Sequence, residues 1–110
     1  SWDTLIERVK EKVPDAEFYL QSCIYEWYAS NADNTQNTVI DTYNDLLIQY
    51  CADNGHHYVD IQKFVEDHTG NMATPYSLDQ SIHLNEPGCV AWMHALNTYM
   101  YVQSIGGTGL

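Results

Sequence analysis

Apolar residues recur along this chain with two periods. In the first dozen residues Leu5, Ile6, Val9 and Val13 share one side of a 3.6-residue repeat, with Glu7, Arg8, Lys10, Glu11 and Lys12 elsewhere. That pattern predicts an amphipathic helix over Trp2–Val13, capped by Ser1 or Asp3 and stopped at Pro14-Asp15. Glu17 to Ile24 is a short apolar run and reads as a buried strand. The clearest helical repeat spans Thr38 to Asp53, where Val39, Tyr43, Leu46, Leu47, Tyr50 and Cys51 fall on one face. Asn54-Gly55 offers a left-handed cap after it. His57 to Ile61 reads as a second strand, and Gln62 to His68 as a short helix ending at Thr69-Gly70. Asn71 to Ile82, with Pro75, is a loop. The last helix runs from Glu86 to Gln103, with Trp92, Ala95, Leu96 and Tyr99 as its stripe and Cys89, Met93 and Met100 beside it.

Helix, Pro-Asp, then strand is the rhythm of a parallel α/β sheet. The expected architecture is therefore a partial three-layer α/β/α fragment, with two parallel strands flanked by helices. Residues 1–105 form one unit, and 106–110, rich in glycine, form a flexible tail. No repeat or linker divides the chain. Tyr25 to Gln36 has no period and clusters Asn31, Asp33 and Asn34. It reads as a loop at the C-terminal end of the first strand, where open α/β sheets bind ligands. Tyr25, Trp27 and Tyr28 either line a pocket there or cover the edge of the core.

Composition narrows the picture. The chain has 110 residues, 45% of them hydrophobic, enough for a core and against disorder. Its net charge is −11. Three of the four basic residues, Arg8, Lys10 and Lys12, sit near the start, leaving Lys63 alone afterwards. Such a surface repels phosphate backbones, so nucleic acid is not an expected partner. No apolar run reaches the length of a membrane span, and no signal peptide is visible; the compartment is undetermined. Cys23, Cys51 and Cys89 lack metal-ligand spacing and read as small buried hydrophobes.

The candidate chemistry lies between Leu78 and Met93. Asn85 is a good N-cap, Glu86 suits the positive end of a helix, and Pro87 fits the first turn. His83 then stands just outside the helix, with Asp79 upstream to orient it, as in the base half of a hydrolytic triad. His56, His57 and His68, with Asp60 and Asp67, are a poor metal set, because adjacent strand residues point to opposite faces. Cys89 as a thiol nucleophile for His83 is disfavoured by its place in an apolar helix. No metal or cofactor is expected.

The stretch Ile82-His83-Leu84-Asn85-Glu86-Pro87-Gly88 resembles the last block of the SGNH (GDSL-type) hydrolase family. Pro14-Asp15-Ala16 with the strand through Gln21-Ser22, and Tyr43-Asn44-Asp45-Leu46-Leu47 followed by Gly55 and Tyr58-Val59-Asp60, are similar to its preceding passages, in the same order. The resemblance implies the C-terminal half of a flavodoxin-like hydrolase domain acting on acyl esters, carbohydrate acetyl esters among them. It implies His83 as general base and Asp79 as the acid. One position departs. The family's acid stands three residues before the histidine, where this chain has Gln80. Either the loop carries one extra residue and Asp79 serves His83, or the triad acid is missing. The family's Gly-Asp-Ser nucleophile motif and Gly-x-Asn-Asp oxyanion motif do not occur in these residues. The expected partners are an ester substrate and the remaining N-terminal half of the domain, and the chain alone is expected to be inactive. The rival reading is a non-catalytic binding or interaction module that keeps the fold pattern.

Overall fold

The computed structural model describes residues 1–29 and 35–107. Helix α1 covers Trp2–Lys12, strand β1 Tyr19–Gln21, helix α2 Thr35–Asn54, strand β2 His57–Val59, the one-turn helix α3 Gln62–Val65, and helix α4 Glu86–Ser104. A 3-10 turn at Thr74–Tyr76 interrupts the loop before α4. β1 and β2 pair in parallel, with Tyr19 opposite His57, Leu20 opposite Tyr58 and Gln21 opposite Val59. The chain thus forms a β1–α2–β2 crossover, as the order of elements requires.

Alternation along the two strands divides the core into two layers. On one face Leu20 packs with Leu47 and Cys51 of α2, with Phe18, Tyr50 and Tyr58 around them. On the other, Val59 and Ile61 pack with Ala95 and Tyr99 of α4, beside Ile24, Phe64, Trp92 and Leu96. Ile61, Val65 and Met72 are fully enclosed, each contributing about 1.5–3 kcal/mol of transfer free energy. α1 packs on the α2 face. There the Trp2 indole donates to the Tyr43 hydroxyl (3.2 Å) and the Tyr50 hydroxyl to Asp3 Oδ1 (2.6 Å). That bond to Asp3 holds the Tyr50 phenol protonated, with its pKa pushed up to about 12.

Four expectations need correction. Both strands are three residues long, shorter than the apolar runs that contain them, because the chain leaves β1 for side-chain partners rather than a longer ladder. The α1 stripe is mostly open: Ile6 is buried, but Leu5 and Val13 are 53% and 52% exposed and Val9 is exposed too. α2 turns a different face inward. Asn37 and Asn44 join Leu47 and Cys51 on the buried side, and Val39, Tyr43 and Leu46 are exposed. Of the cysteines only Cys51 is buried; Cys23 and Cys89 are exposed, Cys89 because α4 buries the stripe through Gly88, Ala95 and Tyr99 instead.

The helix ends follow the sequence closely. The Asn85 side chain accepts the Gly88 N–H (2.9 Å), capping α4, with Pro87 in its first turn. Gly55 takes a φ of +69° after α2. Residues 108–110 of the expected tail lie outside the described residues; before them, Gly107 N–H still bonds the Val102 carbonyl (2.9 Å). No helix among the described residues is long and apolar enough to cross a membrane.

Candidate active site

After β1 the chain runs on from Ser22 to Tyr28 as a strap held by side chains instead of a strand. Asn44 Oδ1 accepts the Cys23 N–H (2.8 Å), and its Nδ2 donates to the Cys23 carbonyl (3.0 Å). Gln62 Oε1 accepts the Tyr25 N–H (2.9 Å). Asn37 binds both the N–H (2.8 Å) and the carbonyl (3.0 Å) of Glu26, and Asn71 does the same for Tyr28 (2.8 and 3.0 Å). A carboxamide carries one acceptor and one donor side by side, as a neighbouring peptide group would, so Asn37, Asn44 and Asn71 act as substitute strand partners, while Gln62 supplies an acceptor alone and its buried Nε2 has no partner among the described residues. The strap ends by gripping the loop that bears the histidine. The Trp27 N–H donates to the Ser81 carbonyl (2.7 Å), and the Trp27 indole to Thr74 Oγ1 (3.0 Å).

That loop is a closed turn. Ser77 and Leu84 form an antiparallel bridge, and the Leu78 N–H meets the His83 carbonyl at 2.9 Å. Inside it Asp79 Oδ1 accepts the N–H groups of Ser81 (3.0 Å) and His83 (3.3 Å), the local bonding that suits aspartate to turns. Gln80 takes a φ of +54°, and its N–H is held by Ser77 Oγ at 2.8 Å. In this turn a residue four positions upstream reaches the imidazole, and Asp79 Oδ2 lies 2.5 Å from His83 Nδ1. Asp79 is therefore the carboxylate on His83.

The carboxylate accepts, so Nδ1 carries the proton and a neutral ring presents Nε2 as its acceptor. Among the described residues no hydrogen bond engages Nε2, and the His83 side chain is 65% exposed. The bond from His83 holds the Asp79 carboxyl below its ordinary range. Downstream, Asn85 fastens the turn to α4: its Nδ2 donates to the Pro75 carbonyl (2.8 Å) and its N–H to the Tyr76 carbonyl (2.9 Å). Gly88 is required by close approach. A Cβ there would stand 2.8 Å from the Tyr76 carbonyl oxygen and 2.9 Å from the Leu84 side chain.

Beside this turn, at the C-terminal end of β1, lies an open cleft of about 430 Å³. Ser22 to Glu26 form its floor, Ile40 one wall, and Ile82 and Trp92 the other. Of the three aromatics proposed for it, only Tyr25 lines it; Tyr25 is buried and its hydroxyl bonds Asp41. Tyr28 bonds Glu26 at 2.5 Å instead, and Asn31, Asp33 and Asn34 lie outside the described residues. Cys89 is not bonded to His83. The other histidines have separate partners: His57 Nδ1 meets the Tyr99 hydroxyl (2.9 Å), and His68 Nδ1 meets Glu66 (2.8 Å).

No curated protein sequence matches the chain. Among solved structures, a protein from Streptococcus pneumonia described as a "putative platelet activating factor" is similar in fold, with a TM-score of 0.75 at 20% identity over 88% of this chain. The chain spans 47% of that protein, about half its length. Residues 1–90, which include Asp79 and His83, match the GDSL-like Lipase/Acylhydrolase family. The chain belongs to that family.

Proposed function

We propose that this chain is the histidine-bearing, C-terminal half of a GDSL-type serine ester hydrolase, with His83 as general base and Asp79 as the acid that orients it. The observation that carries this reading is the 2.5 Å contact between Asp79 Oδ2 and His83 Nδ1, on a ring whose other nitrogen is unengaged among the described residues. In a complete domain a serine hydroxyl attacks the ester carbonyl. His83 Nε2 takes the serine proton and returns it to the leaving alkoxide. Asp79 fixes the tautomer and stabilises the imidazolium. Serine and oxyanion donors come from sequence beyond these residues, since no Gly-Asp-Ser occurs here. The cleft beside the turn carries no cationic side chain. Ile24, Ile40, Ile82 and Trp92 suit a neutral acyl ester better than an anionic one.

The non-catalytic alternative draws on the displaced position of the acid, and the Asp79–His83 bond counts against it. The pairing is tested by substitution in the complete gene product, with hydrolysis of p-nitrophenyl acetate as the readout. Asp79→Asn should lower kcat by about a hundredfold or more, in the range of a lost acid–base partner. Gln80→Ala should leave it near the parent value. The reverse ranking would mean that Asp79 is a turn residue only.

A further inference from the structure

Two kinds of support hold the Asp79–His83 turn. Bonds inside it set the pairing: the Ser77–Leu84 bridge, the Leu78 N–H on the His83 carbonyl, the Gln80 N–H on Ser77 Oγ, and the Ser81 and His83 N–H groups on Asp79 Oδ1. None of these fixes where the turn stands over the cleft. At its base Asn85 binds the carbonyls of Pro75, Tyr76 and Ser77. Packing adds little further out, because Leu78 to His83 are all exposed. Among the described residues, the hydrogen bond that reaches residues 78–83 from outside this loop is the Trp27 N–H on the Ser81 carbonyl (2.7 Å).

Trp27 is itself held from both sides. Glu26 before it has its N–H and carbonyl bound by Asn37, and Tyr28 after it has both bound by Asn71. Asn37 and Asn71 are buried, so this clamp belongs to the core. Peptide groups alternate in direction along an extended segment, so the Trp27 N–H leaves on the opposite side and meets the turn there. The Trp27 indole reaches the same loop at a second point, Thr74 Oγ1 (3.0 Å). One bond would leave the loop free to tilt about it; two separated bonds from one residue fix its place.

We propose that Trp27 is a positioning residue for ester hydrolysis: it holds the His83 turn in place over the cleft, while bonds inside the turn hold Asp79 on His83. The proposal rests on the reading of His83 as general base. A base must lie within hydrogen-bond reach of the proton it takes, and a displacement of about 1 Å costs on the order of a hundredfold in rate. The Trp27 ring does not line the cleft, so it acts through Ser81 and Thr74 and not on substrate.

The test is steady-state hydrolysis of p-nitrophenyl acetate by the complete gene product. Trp27→Phe removes the indole donor and keeps a ring. Thr74→Val removes its acceptor at an exposed site, where the fold tolerates it, and Thr74→Ser keeps the hydroxyl. Trp27→Phe and Thr74→Val should each lower kcat at least about tenfold with KM changed by less than about twofold, as when an interaction matters to the transition state and not to binding. The double variant should be no slower than either single one, and Thr74→Ser should run near the parent rate. The titration midpoint of Asp79 should stay at the parent value, because the pairing is internal to the turn. Parent-like kcat in Trp27→Phe and Thr74→Val, beside a His83→Ala variant that has lost activity, overturns the proposal and leaves the hydrolase reading standing. So does a Thr74→Ser variant as slow as Thr74→Val. A fall in kcat accompanied by a shifted Asp79 midpoint overturns it too, since Trp27 would then support the folding of the turn and not its placement. If His83→Ala itself turns over at the parent rate, the hydrolase reading fails and the proposal falls with it.

Discussion

Gln80 shapes the turn that sets Asp79 beside the histidine. Its N–H held by the Ser77 hydroxyl, it takes a φ of +54° in the turn that brings Asp79 to His83 Nδ1. Strain of this kind costs of order 1–3 kcal/mol and persists where the surroundings over-determine it. Here Ser77, Ser81 and the Ser77–Leu84 bridge do so. The bond from His83 holds the Asp79 carboxyl below the ordinary aspartate value of 3.8. A depressed carboxylate contributes stability that is present above its unfolded pKa and lost as pH falls through the folded one. The turn should therefore hold at neutral pH and loosen only under acid below the usual carboxylate range. A carbon-detected NMR titration of Asp79 should give a midpoint below 3.8; a midpoint at or above that value would mean the bond to His83 does not persist in solution. Both residues were legible from the sequence as a pair with two alternatives. The contact between them was not, because it forms in a turn with the left-handed backbone of one glutamine, a residue with no strong preference for it.

At the scale of elements, side-chain amides replace a ladder. The stripe of α2 predicted Val39 and Tyr43 inward, and the fold buries Asn37 and Asn44. An asparagine on a helix reads as solvated surface unless its partner is known. The partners here, Glu26 and Cys23, lie in a loop 11 and 21 residues away in sequence. The strap could not run where it does without them, because its peptide groups would be left unpaired. Asn37→Ala should therefore cost about 1–3 kcal/mol, the penalty of unmade buried bonds. Urea denaturation would show it; a change under about 0.5 kcal/mol, the scale of a surface substitution, would assign the strap's order to other contacts. The junction of the histidine turn with α4 was readable in part, since Asn85 sits where a cap was expected, whereas the close approach at Gly88 carried no local signal. Gly88→Ala forces a Cβ against the Tyr76 carbonyl and Leu84, and the fold should lose about 1–3 kcal/mol, as overpacked sites do. A thermal melt unchanged by this substitution would place the turn further from α4 than the structure has it.

For the whole molecule, the two layers around β1 and β2 bury a small core and leave apolar residues of α1 and α2 in the open. The sequence pattern predicted the three-layer arrangement, because helix and strand periods are local properties of the chain. It predicted burial of the α1 stripe less well, because what covers a stripe is set by neighbours the pattern does not name. The same limit applies to catalysis. The proposed base and its acid are local, four residues apart on one turn, whereas no Gly-Asp-Ser motif for the proposed nucleophile occurs in these residues. The sharpest test is the rate of p-nitrophenyl acetate hydrolysis by the complete gene product, before and after His83→Ala. A general base predicts a fall of at least about a hundredfold in kcat with the fold intact. Unchanged turnover in a folded variant would mean that His83 is not the base, and that the Asp79–His83 bond serves only to hold the turn.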